Sequence, residues 1–508
     1  MQINISEYWL SKITNPQVCS RNAVSENGNF TNFKTLFSEA EILALNLIPI
    51  TKINQPIAVF LPKSVSLIIA DMAIIYSGNA YNNLDIKQPP ERTRLIIEHI
   101  QPTLILTTKA LSENLKSIGI ATEKIFCLDE ISVVDSNFEA ILERINQIVD
   151  TDPCCIINTS GSTGVPKSVI MNHRSIIDFM DQVIDVFDLN ENEIIGSLSP
   201  AYFDIFTLEF NLMLARQALF VIIPDNASAF PERLVEFLEK NKINFIFWVP
   251  TIMVNISKMD ILSEHSMLKL KKILFAGEVF PIKHLQYWME NIPQATFVNM
   301  YGPIEITVDC LYHIVTKKDI EKGEVPIGKT FKNTKMLILN DENKECAINE
   351  TGELCIGGSS LAMGYYNDYD KTAKAFMQNP LNKNYPEIIY RTGDTVYKRE
   401  DGNIIFIGRK DFQVKHLGYR IELPEIEYIA LTLDFIDNAA VLYDHNNKKI
   451  ILVYESATDV EISTIRREMG RILPKYMLPT VYQRLDTMPR NPNGKIDRTK
   501  LKEMFVTE

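Results

Sequence analysis

The chain has 508 residues, 46% hydrophobic and 23% charged, which supplies enough apolar material for more than one packed domain. A formal net charge of −12 excludes a general role on nucleic acid or on anionic membranes, while leaving room for a local basic patch. Seven scattered cysteines (Cys19, Cys127, Cys154, Cys155, Cys310, Cys346 and Cys355) include no CxxC pair, so disulfide and zinc frameworks read poorly and a reduced, cytoplasmic setting reads well. The first residues, MQINISEYWLSKITNPQ, lack the basic and apolar regions of a signal peptide. The apolar stretch VSLIIADMAIIYSGNAY is broken by Asp71 and falls short of the roughly 20 apolar residues that a membrane span needs.

Along the chain, short strand-like runs alternate with helical patterns. The runs are PIAVFLP near 57, PTLILTT near 103, ALFVIIP near 219, FIFWVP near 245 and KILFAG near 272. Between them lie segments such as FPERLVEFLEKNK, with apolar residues at three- and four-residue spacing. This alternation predicts an α/β fold with layered, mostly parallel sheets. Near residue 400 the texture becomes charged and rich in short strands, with Asp401-Gly402 as a turn signal. The expected organisation is a large α/β domain over 1–400, made of layered subdomains, and a small α+β domain over 401–508.

The first motif is Asn158-Thr159-Ser160-Gly161-Ser162-Thr163-Gly164-Val165-Pro166-Lys167-Ser168, following a strand-like CCII run. Small residues and hydroxyls let N–H and O–H groups surround phosphate oxygens, and Lys167 adds charge. Alone, such a loop reads equally as a polar surface turn. The P-loop pattern G-x-x-x-x-G-K-[ST] nearly fits Gly161 to Ser168 but fails at Pro166, which has no N–H to offer and a fixed φ. A P-loop also needs a helix starting at its lysine, whereas SVIMNH is strand-like and the helical pattern begins at RSIIDFMDQVIDVF.

The loop resembles the TSG-[ST]-TG-x-PKG signature of the adenylate-forming superfamily. Further motifs follow in that family's order: Tyr301-Gly302-Pro303-Ile304-Glu305, GELCIGGSSLAMGYY from Gly352, Tyr390-Arg391-Thr392-Gly393-Asp394, GRKDFQVKHLGYRIELPEIE from Gly408, and NPNGKIDR from Asn491. SGNAYNNLDIKQPPER, near 77, is similar to an early family segment, so the resemblance covers nearly the whole chain. The last two motifs look like amino-acid adenylation domains of nonribosomal peptide synthetases, and the length and pocket segments look like stand-alone D-alanine–carrier protein ligases. The chain stops about ten residues after Arg498 with no carrier domain, which leaves a free-standing enzyme and an excised synthetase piece both open.

The resemblance implies ATP-dependent activation of an amino acid as its adenylate, with release of pyrophosphate. The acyl group then passes to the phosphopantetheine thiol of a carrier protein. An acyl- or aryl-acid CoA ligase is the alternative within the superfamily, and a binding module that has lost catalysis is a third reading. Charge on the phosphates calls for cations and Mg²⁺. By resemblance Thr159, Ser160, Gly161, Ser162, Thr163, Gly164 and Lys167 cradle pyrophosphate, and Glu305 holds Mg²⁺. Tyr301 packs on adenine, Asp394 accepts from the ribose hydroxyls with Arg409 assisting, and Lys495 bridges the substrate carboxylate and the α-phosphate. Asp401 is the expected hinge, about which the small domain swings to turn the Gly418 loop toward the carrier arm.

Asp204 precedes a helical pattern and reads locally as an N-cap, while the resemblance places it at the substrate's α-ammonium. The other pocket positions carried over are Ile205, Leu208, Phe247, Leu274, Ala276, Met300, Val308 and Asp309, which together imply small to medium apolar amino acids. Asp309 is the exception, and is expected to face backbone donors or a polar group on the substrate. The chain departs from the family at Ile304, where threonine is usual, at Ser168 in place of a common glycine, and at Ala276, where D-alanine ligases carry cysteine.

Overall fold

The structure, a computed structural model, describes residues 4–13, 16–131, 137–161, 166–265, 269–491 and 496–506. Among the described residues the strand-like runs form strands at Pro56–Val59, Leu104–Thr107, Leu219–Ile222, Phe245–Trp248 and Lys272–Ala276, and FPERLVEFLEKNK supplies the helix Pro231–Lys240. These strands divide between two large sheets. A seven-stranded sheet runs in the order 364–365, 167–172, 153–159, 80–83, 56–59, 104–107, 125–127. A nine-stranded sheet carries Ile194–Ser197, Phe245–Trp248, Lys272–Ala276 and Thr296–Tyr301 as parallel neighbours.

The helix Val65–Tyr76 belongs to the main hydrophobic core, and its residues Leu67 to Tyr76 are all buried. Ser64 starts it by accepting from Leu67 N, which satisfies one of the first-turn donors. Asp71 interrupts the apolar run without opening it to water, because Asn83 Nδ2 donates to its carboxylate at 2.9 Å. Burial pushes the Asp71 carboxyl well above the usual range.

The glycine-rich motif connects two antiparallel strands, Pro153–Thr159 and Lys167–Asn172, in register Thr159↔Lys167. The following helix, His173–Phe187, is capped by Asn172, whose side chain accepts from Ser175 N at 2.8 Å. It buries Ile176, Phe179, Met180, Val183, Ile184 and Phe187 at helical spacing. Lys167 therefore opens a strand, and the loop has no helix at its lysine as a P-loop requires.

A third sheet of five strands includes Thr351–Gly358, Ile388–Lys398 and Ile404–Arg409. The last two pair from Lys398↔Ile404 to Asp394↔Arg409. Asp401-Gly402 is thus a hairpin turn within one sheet, with Gly402 at φ +82° and Asp401 accepting from Arg399. The expected boundary near Asp401 falls inside this hairpin, and the chain leaves the sheet after Arg409. Beyond it stand the hairpin Gln413–His416/Tyr419–Glu422, a three-stranded sheet and their helices, around a separate core that includes Ile421, Ile426, Val441 and Leu452.

Candidate active site

The carboxyl ends of Lys272–Ala276 and Thr296–Tyr301, together with the N-terminus of the helix Asp204–Arg216, border a cavity of about 1020 Å³. Crevices outside the carboxyl ends of parallel strands are the usual ligand sites of open α/β sheets. Thr159 and Ser160 of the glycine-rich motif line the cavity, as do Tyr301, Asp394 and Arg409. Ser162, Thr163, Gly164 and Lys495 lie outside the described residues.

Tyr301 and Asp394 come from different sheets and meet directly. The Tyr301 hydroxyl donates to one oxygen of Asp394, and the Arg409 guanidinium donates to the other. Burial pushes Asp394 above the usual carboxylate range, and Arg409 and Tyr301 oppose that push.

Asp204 is the first residue of its helix, and Phe203 occupies the N-cap position. Its Oδ1 accepts from Ile205 N at 2.9 Å, and Oδ2 has no hydrogen-bond partner among the described residues. The helix start has no side-chain cap hydrogen bond, so the N-cap role read from the local sequence is not met: Asp204 bonds only the adjacent N–H. Burial raises its pKa, while Lys415, the Ile205 N–H and Arg420 counteract the rise.

Ile205, Ala276, Met300, Val308 and Asp309 also line the cavity. Leu208, Phe247 and Leu274 do not: each is 0% exposed and belongs to the main hydrophobic core. Asp309 is 2% exposed, and no hydrogen bond or ion pair engages its side chain among the described residues. The expected backbone donors are therefore missing. Burial pushes its carboxyl well above the usual range, Asp204 adds to the effect and Lys415 opposes it.

Glu305 is fully buried. It accepts both guanidinium bonds of Arg420, at 2.7 and 3.0 Å, and the Tyr365 hydroxyl at 2.9 Å. Burial works against its ionisation, but the charge and hydrogen bonds of Arg420 outweigh it and hold the pKa at about 2. The donor set fits a hard cation only if Arg420 leaves, because a guanidinium and a metal ion cannot share these oxygens. Among the described residues no group of three or more His, Cys, Asp or Glu side chains forms a ready metal cluster.

Arg420 brings further contacts that sequence reasoning did not single out. Ser160 Oγ donates to Arg420 O at 2.8 Å and accepts from Glu422 N at 3.1 Å. Lys167 Nζ pairs with Glu422 at 2.7 Å, and Gly161 N donates to Glu425 Oε2 at 2.9 Å. Arg92 completes the array by pairing with Glu425 at 2.6 Å in a nearly closed environment. Two carboxylates from beyond Arg409, Glu422 and Glu425, thus occupy donors of the glycine-rich motif. The residues stand in the quoted segment GRKDFQVKHLGYRIELPEIE, but their partners are 255 or more positions away for Lys167 and Gly161.

The same segment sends two more groups to the cavity. Gly418, at φ +84°, donates its N–H to Glu278 Oε1 at 2.9 Å. A Cβ there would lie 2.9 Å from Val249 Cγ2, so this close approach needs glycine. Lys415 opens onto the cavity, with its Nζ 3.7 Å from where a Cβ on Gly277 would stand. Burial lowers its pKa, against the pull of Asp394, Asp204 and Asp309.

A family model described as AMP-binding enzyme matches residues 14–366. The chain is 32% identical over 457 residues to zwittermicin A synthase ZmaJ of Bacillus cereus, covering 88% of this chain and 84% of that protein. It is also 32% identical over 455 residues to tyrocidine synthase 1 of Brevibacillus parabrevis, where it covers 89% of this chain and only 40% of the relative. In fold it is similar to the Vibrio cholerae adenylation domain AlmE, whose structure is in complex with glycyl-adenosine-5'-phosphate, with a TM-score of 0.85 and 20% identity over 99% of this chain and 98% of that one. None of the helices among the described residues is long and apolar enough to cross a membrane.

Proposed function

The chain belongs to the AMP-binding enzymes, as an amino-acid adenylating ligase of the nonribosomal peptide synthetase type, and on that footing we propose how its own residues divide the work. The observation that carries the reading is the convergence of Thr159–Ser160, Tyr301–Asp394–Arg409 and Asp204 on one cavity. ATP lies with its triphosphate along the loop ending at Lys167. Asp394 takes the ribose hydroxyls, with Arg409 keeping it ionised, and the Tyr301 ring covers the adenine. The free oxygen of Asp204 holds the α-ammonium, which orients the substrate carboxylate toward the α-phosphate. Glu305, once released by Arg420, would hold Mg²⁺, which would supply charge neutralisation for the phosphates.

The docked arrangement of Gly418 and Lys415 supports a second role for this cavity, transfer of the acyl group to a carrier thiol. With Glu422 and Glu425 on the phosphate loop, that loop is closed to a polyphosphate, whereas an adenylate has already lost its pyrophosphate. The small domain must leave this position for ATP to bind. We place its pivot at Lys410–Phe412, directly after the strand that ends at Arg409, instead of at Asp401. Asp401→Pro is then expected to leave carrier loading within about twofold, while Asp411→Pro slows loading from supplied aminoacyl-adenylate about tenfold or more. Equal loading by both variants in a single-turnover assay would remove the pivot from this segment.

Amino-acid-dependent ATP–pyrophosphate exchange over a panel of D- and L-amino acids tests the main reading. Asp204→Ala is expected to lower exchange about 10- to 100-fold, as for a lost charge-assisted hydrogen bond, and to narrow the gap to acids lacking the amine. Activation of fatty or aryl acids with no response to any amino acid would overturn it.

A further inference from the structure

We propose that Asp309 is the counter-ion for a second ammonium on the substrate, which makes short-chain diamino acids the preferred substrate class of the cavity. The proposal rests on the reading of Asp204 as the anchor of the α-ammonium.

Asp309 faces the cavity, is 2% exposed, and has no hydrogen-bond or ion-pair partner among the described residues. A carboxyl group in such a place is costly whether charged or neutral, unless something else satisfies it. The backbone also strains to put it there. Thr307 and Val308 both adopt left-handed φ, 56° and 66°, which β-branched residues rarely do. Such outliers persist only where the surroundings impose them, and they cluster at ligand sites. Gly302 yields to the same residue, since a Cβ on it would lie 2.4 Å from Asp309 Cα. The turn is therefore shaped around a side chain that has no structural partner.

Charge balance selects the kind of partner. Lys415 is drawn on by Asp204, Asp309 and Asp394 together. Asp394 also has Arg409, and Asp204 gains the α-ammonium. The substrate carboxylate loses its charge on joining the phosphate, but the phosphate brings one of its own and competes for Lys415. Asp309 is then the carboxylate without a cation, and a second ammonium supplies it. A hydroxyl would satisfy hydrogen bonding but leave the charge uncompensated. The side chain carrying the ammonium must be short, because it spans only from the Asp204 anchor to Asp309, and these two carboxylates are near enough for one to bear on the other's ionisation.

The test compares kcat/KM in pyrophosphate exchange for 2,3-diaminopropionate and 2,4-diaminobutyrate with that for 2-aminobutyrate, alanine and serine. The wild-type protein is expected to favour a diamino acid over 2-aminobutyrate by at least about tenfold, as for a buried charge-assisted contact. Asp309→Asn is expected to bring that ratio close to one; because the ratio is internal, a general loss of activity does not imitate the result. If Asp309→Asn does not fold, the wild-type ratio alone decides. Equal or better use of 2-aminobutyrate, alanine or serine by the wild type would overturn the proposal, with serine pointing to hydroxyl recognition. Amino acids activated without preference for diamino acids sink this inference alone, whereas a response only to acids lacking an amine sinks the Asp204 reading and this one with it.

Discussion

Replacing Lys495 with alanine is expected to reduce amino-acid-dependent pyrophosphate exchange by about 10²–10³, the usual loss when one preorganised stabiliser of developing charge is removed. Thioester formation from supplied aminoacyl-adenylate is expected to stay within a few-fold of normal. The split follows from where the charge develops. In adenylation the carboxylate attacks the α-phosphate and negative charge accumulates before pyrophosphate departs, so a cation is needed there. In the transfer step the thiol attacks the acyl carbon of the mixed anhydride and AMP leaves, so no new charge builds on the α-phosphate's attacking side. The residues flanking Lys495 belong to the segment beyond Arg409. Arg490 and Ile496 form an isolated antiparallel bridge, and Arg498 bonds Glu427 at 2.6 Å. We expect Lys495 to serve adenylation only once the contacts of Arg420 and Gly418 are released. Normal exchange by the variant would remove Lys495 from the adenylation step.

Much of this geometry was legible in the sequence, for identifiable reasons. The strands that end at Ala276 and Tyr301 are short apolar runs, and the glycine-rich loop announces itself by composition, so the cavity's walls could be named in advance. Asp401-Gly402 was legible as a turn but not as a turn within a sheet, because a hairpin turn and an interdomain turn share the same residues. Only the pairing of Asp394 with Arg409 separates the two. Asp309 was visible as an odd carboxylate, but its lack of any partner is a property of packing. Leu208, Phe247 and Leu274 carry the right residue types for a pocket lining, yet they are fully buried in the core. The contacts of Arg420, Glu422 and Glu425 were not legible at all. Each is an ordinary charged residue whose partner lies more than a hundred positions away in sequence.

The docked arrangement that these contacts make carries the second large prediction. Arg420→Ala is expected to shift the small domain away from this position by roughly 10²–10³, because removing one partner of a buried ion pair costs about 3–5 kcal/mol and about 1.4 kcal/mol is a factor of ten. The cost falls on the docked state alone. There Glu305, 0% exposed, would keep its charge with only the Tyr365 hydroxyl and distant Lys167 to offset it. On the proposed reading, release of these contacts would leave Glu305 to hold Mg²⁺ and Ser160, Gly161 and Lys167 to hold phosphates. Carrier loading should therefore fall by a large factor while ATP–pyrophosphate exchange holds or rises. Glu422→Gln with Glu425→Gln should move the balance the same way but less, since an amide keeps part of the hydrogen bonding. Arg92 is then left without its partner, which sets a limit on the gain. The decisive readout is the ratio of single-turnover carrier loading to exchange, measured on folded protein with saturating ATP. If Arg420→Ala lowered both activities equally, the pair would be a structural support of the large domain. If it lowered exchange and spared loading, the docked state would belong to adenylation, and the assignment of the two small-domain faces would have to be reversed.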